Sequence, residues 1–218
     1  NENLIAGIEG RILLLDKEFS AAVPKLKQQY QAQPNSINAT YLAFALDAND
    51  QKDEAIKLLE RQVEQDSLDN KLNPKISLSL ANMYLAEHQN KAIVEYERLI
   101  KFNPNNVVAL NNLSWLYMDQ GKNLQAAEYA KQAYELAPKI PNVVDTYAQA
   151  LLKSDKKGAA LLKAKEAFEL SQGKDTDIML NFAEALLANN MNKEAKEILG
   201  KVDAVSTAQK EKKQRLLK

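Results

Sequence analysis

The chain has 218 residues, 45% of them hydrophobic and 27% charged, with 29 basic and 29 acidic side chains. That balance excludes a disordered chain and leaves no net field to attract nucleic acid or an acidic substrate. With no cysteine there are no disulfides or thiolate metal sites, and apolar runs such as "ILLL" at 12–15 are far too short to span a bilayer.

Glycine and proline number only six each, and Ala, Leu, Lys, Glu and Gln dominate, a mixture that favours helix. One alanine sets the period: Ala22, Ala55, Ala92, Ala126, Ala160 and Ala195 lie 33, 37, 34, 34 and 35 residues apart. Twelve residues before each of them (eleven in the third case) stands Gly10, Ala43, Ala81, Ser114, Ala148 or Ala183. Three residues beyond each of those is Leu13, Leu46, Tyr84, Tyr117, Leu151 or Leu186. The first unit, about 3–35, carries Glu9 where the later ones carry Leu42, Leu80, Leu113, Tyr147 or Phe182, which predicts a partly uncovered end. The second, 36–73, ends in a four-residue insertion, "NKLN", that loosens the joint before Pro74. In the third, 74–106, the turn "EHQNKA" has lost one residue and holds the single histidine, His88.

The fourth unit, 107–140, is the clearest: "LNNLSWLYMDQGKNLQAAEYAKQAYELAP", with Gly121 at the turn and Pro138 closing the second helix. The fifth, 141–175, and the sixth, 176–209, lack the closing proline and offer Gln172 and Thr207 instead. From about Ser206 to Lys218 the tail is locally basic and reads as a solvated helix capping the last apolar face. The pattern has a physical cause, since two antiparallel helices cross closely only where side chains are small, as at Ser114 and Ala126. Leu110, Leu113 and Tyr117 then fill the stripe between them. This order of small residue, large apolar residue, turn and alanine resembles the tetratricopeptide repeat family over nearly the whole chain. The resemblance implies an all-α fold: a right-handed α-α superhelix, or solenoid, of about six helix-turn-helix units plus the capping helix, as one domain over 1–218. A four-helix bundle would not repeat a register near 34 residues six times.

Catalytic chemistry finds no foothold. His88 has no Cys, His or Ser partner at ligand spacing, and there is no Gly-rich phosphate loop or metalloprotease motif. The carboxylate pair at 53–54 suits a helix start, and the acceptor triplets "NAT" (38–40) and "NLS" (112–114) fall inside predicted helices. We therefore expect no enzyme, no metal and no cofactor, and look to surface. Solenoids bind on the groove lined by their first helices. By helical spacing that face carries Thr40, Tyr41 and Phe44, then Leu78, Ser79 and Asn82, then Asn111, Asn112, Trp115 and Met118. In the last two units it carries Asp145, Thr146 and Gln149, then Leu180, Asn181 and Glu184.

The stripe is amide-rich and aromatic, with few charges near its middle. Asparagine can bond an extended backbone from both sides, and an aromatic can anchor one apolar side chain. Tyr41, Phe44, Asn82, Asn111, Asn112, Trp115, Asp145, Gln149 and Asn181 are the candidate binding residues for a protein or peptide. For Trp115 the alternative is packing against the adjacent repeat. A carboxylate clamp of the kind used by heat-shock co-chaperones is rejected. Asn82 and Asn112 match its asparagines, but Leu78, Asn142 and Thr146 stand where it needs cations.

Residues 103–152, with "NNVVALNNLSWLY" and "YAKQAYELAP", are similar to the C-terminal repeats of the long tetratricopeptide lipoprotein of bacterial PEP-CTERM/exosortase sorting and exopolysaccharide loci. That resemblance implies the periplasmic side of a bacterial envelope and a lipid anchor upstream; the alternative location is the cytoplasm. The chain starts at Asn1 rather than Met, which suggests a processed product or fragment. Two other readings stay open. In one, the repeats only space a longer protein or dimerise it through the first unit near Glu9 and Ile12. In the other, they serve a regulatory or enzymatic protein whose active domain lies elsewhere.

Overall fold

A computed structural model describes residues 2–68 and 73–218; most of the "NKLN" insertion, and Asn1, lie outside the described residues. Every regular element among them is a helix, and the helices pair in sequence. The first compact unit, 1–104, holds α1 (Glu2–Leu15) with α2 (Phe19–Ala32), α3 (Ser36–Ala48) with α4 (Lys52–Leu68), and α5 (Pro74–Tyr84) with α6 (Gln89–Phe102). The second, 105–218, holds α7 (Val107–Asp119) with α8 (Asn123–Leu136), α9 (Pro141–Lys153) with α10 (Lys157–Leu170), and α11 (Thr176–Ala188) with α12 (Asn192–Lys201). It ends in α13 (Thr207–Leu216), which packs on α11. The all-α repeat of helix pairs is as the period predicts.

The crossings sit where the small residues are. Ala22, Ala55, Ala92, Ala126, Ala160 and Ala195 are wholly buried, as are Ala43, Ala81, Ser114 and Ala183. A Cβ added to Gly10 would lie 2.7 Å from Cγ of Leu26, so the first pair meets even more closely. Within each unit, every second helix packs on the next first helix, and α3 lies beside α5, α7 beside α9, and α9 beside α11. This is what leaves one continuous side of each unit to the first helices.

The turns repeat as strictly as the crossings. Lys17, Asp50, Gly121, Asp155 and Asn190 all take φ between 57° and 72°. The residue after each donates its N–H to the carbonyl of Leu13, Leu46, Tyr117, Leu151 or Leu186, at 2.8–3.0 Å. This six-to-one bond closes the first helix through a left-handed residue. In the third unit the shortened turn bonds His88 N to the Tyr84 carbonyl at 2.8 Å, four residues back instead of five, and needs no left-handed residue. The fifth unit ends differently from the fourth. Where proline is missing, Gln172 and Gly173 turn the chain with φ of 56° and 63°, values a proline ring cannot adopt.

Four of the first helices begin with side-chain caps, while α9 starts on Pro141 without one. Asn35, Asn73 and Asn106 accept from Asn38, Lys75 and Ala109 N–H at 3.0 Å each, and Asp175 accepts from Asp177 and Ile178. Glu9 leaves its mark as expected. It pairs with Lys25 at 2.6 Å, and α1 exposes Leu4, Ile5, Ile8 and Ile12. The residues matching Ile5 and Ile12 by register are buried in every later unit: Asn38, Ile76, Ala109, Val143 and Ile178 for one, Ala45, Met83, Leu116, Ala150 and Ala185 for the other.

Candidate functional site

The residue directly after each small crossing residue points away from the crossing and onto the first-helix side. These are Arg11, Phe44 and Asn82 in the first compact unit, and Trp115, Gln149 and Glu184 in the second. Arg11, Phe44 and Asn82 border a recess in the first unit, and Trp115 and Gln149 border one in the second.

The recess of the first unit has a volume of about 930 Å³ and is floored by Tyr41 and Phe44 of α3 with Ser79, Asn82 and Met83 of α5. Phe44 is 54% exposed and meets Phe19 edge-on, their ring centroids 6.4 Å apart. The Arg11 guanidinium lies over the Tyr41 ring, 5.4 Å from its centroid, so one electron-rich face is partly used, and Tyr41 as a whole is 38% exposed. Cations gather at the rim: Arg11, Lys17 and Lys52, with Asp47 among them and Lys52 held by Glu87 at 3.1 Å. Asn82 is not a free amide, because its Oδ1 accepts from the Tyr96 hydroxyl at 2.6 Å.

The second unit's recess is smaller, about 410 Å³, and polar. Trp115, 54% exposed, and Met118 form one wall; Asp145, Thr146 and Gln149 of α9 form the floor, with Asn181 of α11 and Lys212 of α13 opposite. Trp115 therefore opens to the recess. Asn181 Nδ2 donates to Oδ2 of Asp145 at 2.6 Å, while its Oδ1 accepts from the Lys212 ammonium. Lys212 also pairs with Glu184 at 2.7 Å. Burial pushes the Asp145 carboxyl up to about 7, against the pull of the Asn181 bond and the Lys212 charge. Three buried polar atoms here lack partners: Asn111 Oδ1, Asp145 Oδ1 and Gln149 Nε2. Asn112, by contrast, is engaged.

One expectation needs correction. Leu180 is core, only 1% exposed, because Leu216 of α13 and Leu199 of α12 close over that side of α11. Charge enters the first-helix face from the first two repeats and from α13: three cations rim the first recess, and Lys212 reaches into the second. Of the five candidate amides, Asn82 and Asn181 are spent on neighbours. The tail is also held by polar contacts. Lys213 donates to the Val202 carbonyl at 2.8 Å, and Gln209 joins Ser206 in a capping box. The period could not reveal these contacts, because α13 has no counterpart in the other units.

Comparison with known proteins agrees with this architecture. Tetratricopeptide repeat family profiles match residues 13–73 and 95–128. Those stretches read as tetratricopeptide repeats. No curated protein matches the sequence. Among solved structures, a tetratricopeptide repeat protein from Parabacteroides merdae is similar with a TM-score of 0.79 at 16% identity, over 95% of this chain and 82% of that one. MamA AMB-1 is similar at 25% identity and a TM-score of 0.66, over 77% of this chain and 98% of its own. MamA from Desulfovibrio magneticus RS-1 is similar at 12% identity with a TM-score of 0.68, over 77% and 92%. These likenesses carry the fold, a tetratricopeptide-type helical scaffold. Among the described residues no helix is long and apolar enough to cross a membrane.

Proposed function

We propose that the chain is a non-enzymatic tetratricopeptide scaffold that holds an extended segment of a partner protein against its first helices. The observation that carries this reading is the pairing, in each compact unit, of a half-exposed aromatic with a recess: Phe44 with Tyr41 in one, Trp115 in the other. A soluble surface gains nothing from open aromatics, whereas a partner side chain seated on one removes apolar area from water at about 25 cal/mol per Å². The unpartnered Gln149 Nε2 and Asp145 Oδ1, one helical turn apart, suit the C=O and N–H of an extended backbone. Hydrogen exchange with a bound peptide, selected from a displayed random library, tests the reading. Protection is expected on α3, α5, α7 and α9; protection confined to α4, α6, α8 and α10 would contradict it.

The setting we infer is the periplasmic side of a bacterial envelope, in protein sorting linked to exopolysaccharide, with a lipid anchor on the full-length protein. Its support is the resemblance of residues 103–152. Fractionation of the source cell tests it, with recovery in the cytosol the contrary result.

A second reading rests on α1. Its Ile5 and Ile12 are 53% and 51% exposed at positions buried in every later unit, which favours self-association through that helix. Sedimentation over a hundredfold range of concentration decides it, because Ile5→Gln/Ile12→Gln should then sediment as the monomer throughout.

A further inference from the structure

We infer that the recess of the second compact unit is a lysine-reading subsite, occupied here by the chain's own Lys212, and that a partner segment presenting a lysine next to an apolar residue takes its place. The inference rests on the groove reading above and names what that part of the groove recognises.

The chemistry of the donors and acceptors decides the class of ligand. An ammonium offers three N–H donors and no acceptor. Lys212 spends its donors on Glu184, at 2.7 Å, and on Oδ1 of Asn181. The Asn181 amide is oriented for this task. Its oxygen faces the ammonium and its nitrogen donates to Asp145 at 2.6 Å, which fixes the amide with its acceptor toward the charge. Asp119 also lines the recess. Without Lys212, the Glu184 carboxylate and the Asn181 oxygen lose the ammonium they are placed around, with Arg215 reaching only Glu184, at 3.5 Å from the more exposed side. Two acceptors already placed around one ammonium suit another ammonium, and they offer no donor to a phosphate or carboxylate.

Two features point to a ligand other than Lys212 alone. Asp145 Oδ1 and Gln149 Nε2 remain buried and unpartnered with Lys212 in place, so the recess has one acceptor and one donor that the tail does not use. Trp115 stands open on the wall, where the tail brings it no apolar side chain. A peptide with a lysine and an apolar neighbour meets all three, through its ammonium, its backbone and its second side chain.

The occupant is also built to leave. None of the residues of α13 is fully buried, and the Lys212 and Glu184 side chains keep 24% and 26% of their surface in water. Partly solvated ion pairs exchange readily, because the incoming and outgoing ammonium groups make the same bonds.

The test uses the full chain with Lys212→Ala, which vacates the recess while Leu216, Lys213 and Arg215 still hold α13 to α11 and α12. The probe is the tripeptide acetyl-Leu-Lys-Leu-amide, compared with its norleucine copy, which keeps the stem and loses the ammonium. The signal is the indole resonance of Trp115, the single tryptophan. Saturable shifts are expected for the lysine peptide on Lys212→Ala, with affinity at least fivefold above that for wild type. The norleucine copy should bind at least fivefold more weakly, and adding Glu184→Gln should cancel the preference. If alanine loosens α13, Lys212→Gln keeps the stem and is used in its place. Equal binding of both peptides, or binding of neither to the vacated recess, overturns the inference. The broader groove reading survives either outcome, because it is tested by Tyr41 and Phe44 in the other unit.

Discussion

Ser114 offers a sharp test of the packing account. Its hydroxyl is wholly buried at the crossing of α7 and α8 and has no hydrogen-bond partner among the described residues. The other units place Gly10, Ala43, Ala81, Ala148 or Ala183 there, so the crossing needs a small side chain and nothing more. Ser114→Ala removes an unsatisfied hydroxyl, whose burial costs about 1–3 kcal/mol. It also exchanges serine for the best helix former, a gain of roughly 0.5 kcal/mol. Against this stands the loss of one atom's packing contacts and a small void, about 1 kcal/mol. The net expectation is stabilisation by about 1–2 kcal/mol. Urea unfolding followed by Trp115 fluorescence reads the change next door on the same helix, and the midpoint should rise with an unchanged slope. A lower midpoint would refute the reasoning, since it would mean that the hydroxyl is bonded in the folded state.

Three further outcomes follow from particular contacts. Gly121 has φ of 72° and open space around its missing Cβ, so Gly121→Ala should cost about 1 kcal/mol from backbone strain alone, whereas Gly158→Ala in α10, equally unobstructed, should not destabilise. Gly10→Ala should cost about 1–3 kcal/mol in the same urea assay, because its Cβ would meet Leu26 at 2.7 Å. Asp145 should make stability fall as pH rises: its carboxyl titrates near 7 in the fold against 3.8 unfolded, so between those values the folded chain holds the extra proton. The loss, up to about 4 kcal/mol across that window, should vanish in Asp145→Asn; an identical pH slope in the variant would contradict it.

The crossings, turns and pairing of helices were legible because each depends on local residue size and recurs at one period. Gly10, Ser114 and the buried alanines declare themselves by spacing, and the missing residue of "EHQNKA" appears as the four-residue bond from His88 to Tyr84. The exposed face was legible only in outline. Spacing put Trp115, Phe44 and Tyr41 on the right side of their helices but could not say that Tyr96 would occupy Asn82, or Asp145 and Lys212 occupy Asn181. Those are contacts between side chains 14 to 36 residues apart, set by geometry that no period encodes. Leu180 went astray for a related reason. It shares its register with Asp145, but the non-repeating helix α13 covers it.

The central claim is that open aromatics on the first helices hold a partner's polypeptide. The most direct measurement is the affinity of a library-selected peptide for wild type, for Tyr41→Ala/Phe44→Ala and for Trp115→Ala, with helicity checked by circular dichroism. Truncating a central aromatic anchor costs about 2 kcal/mol or more, so one or both variants should bind at least tenfold more weakly while remaining fully helical. Unchanged affinity in both folded variants would place the binding surface elsewhere and contradict the account.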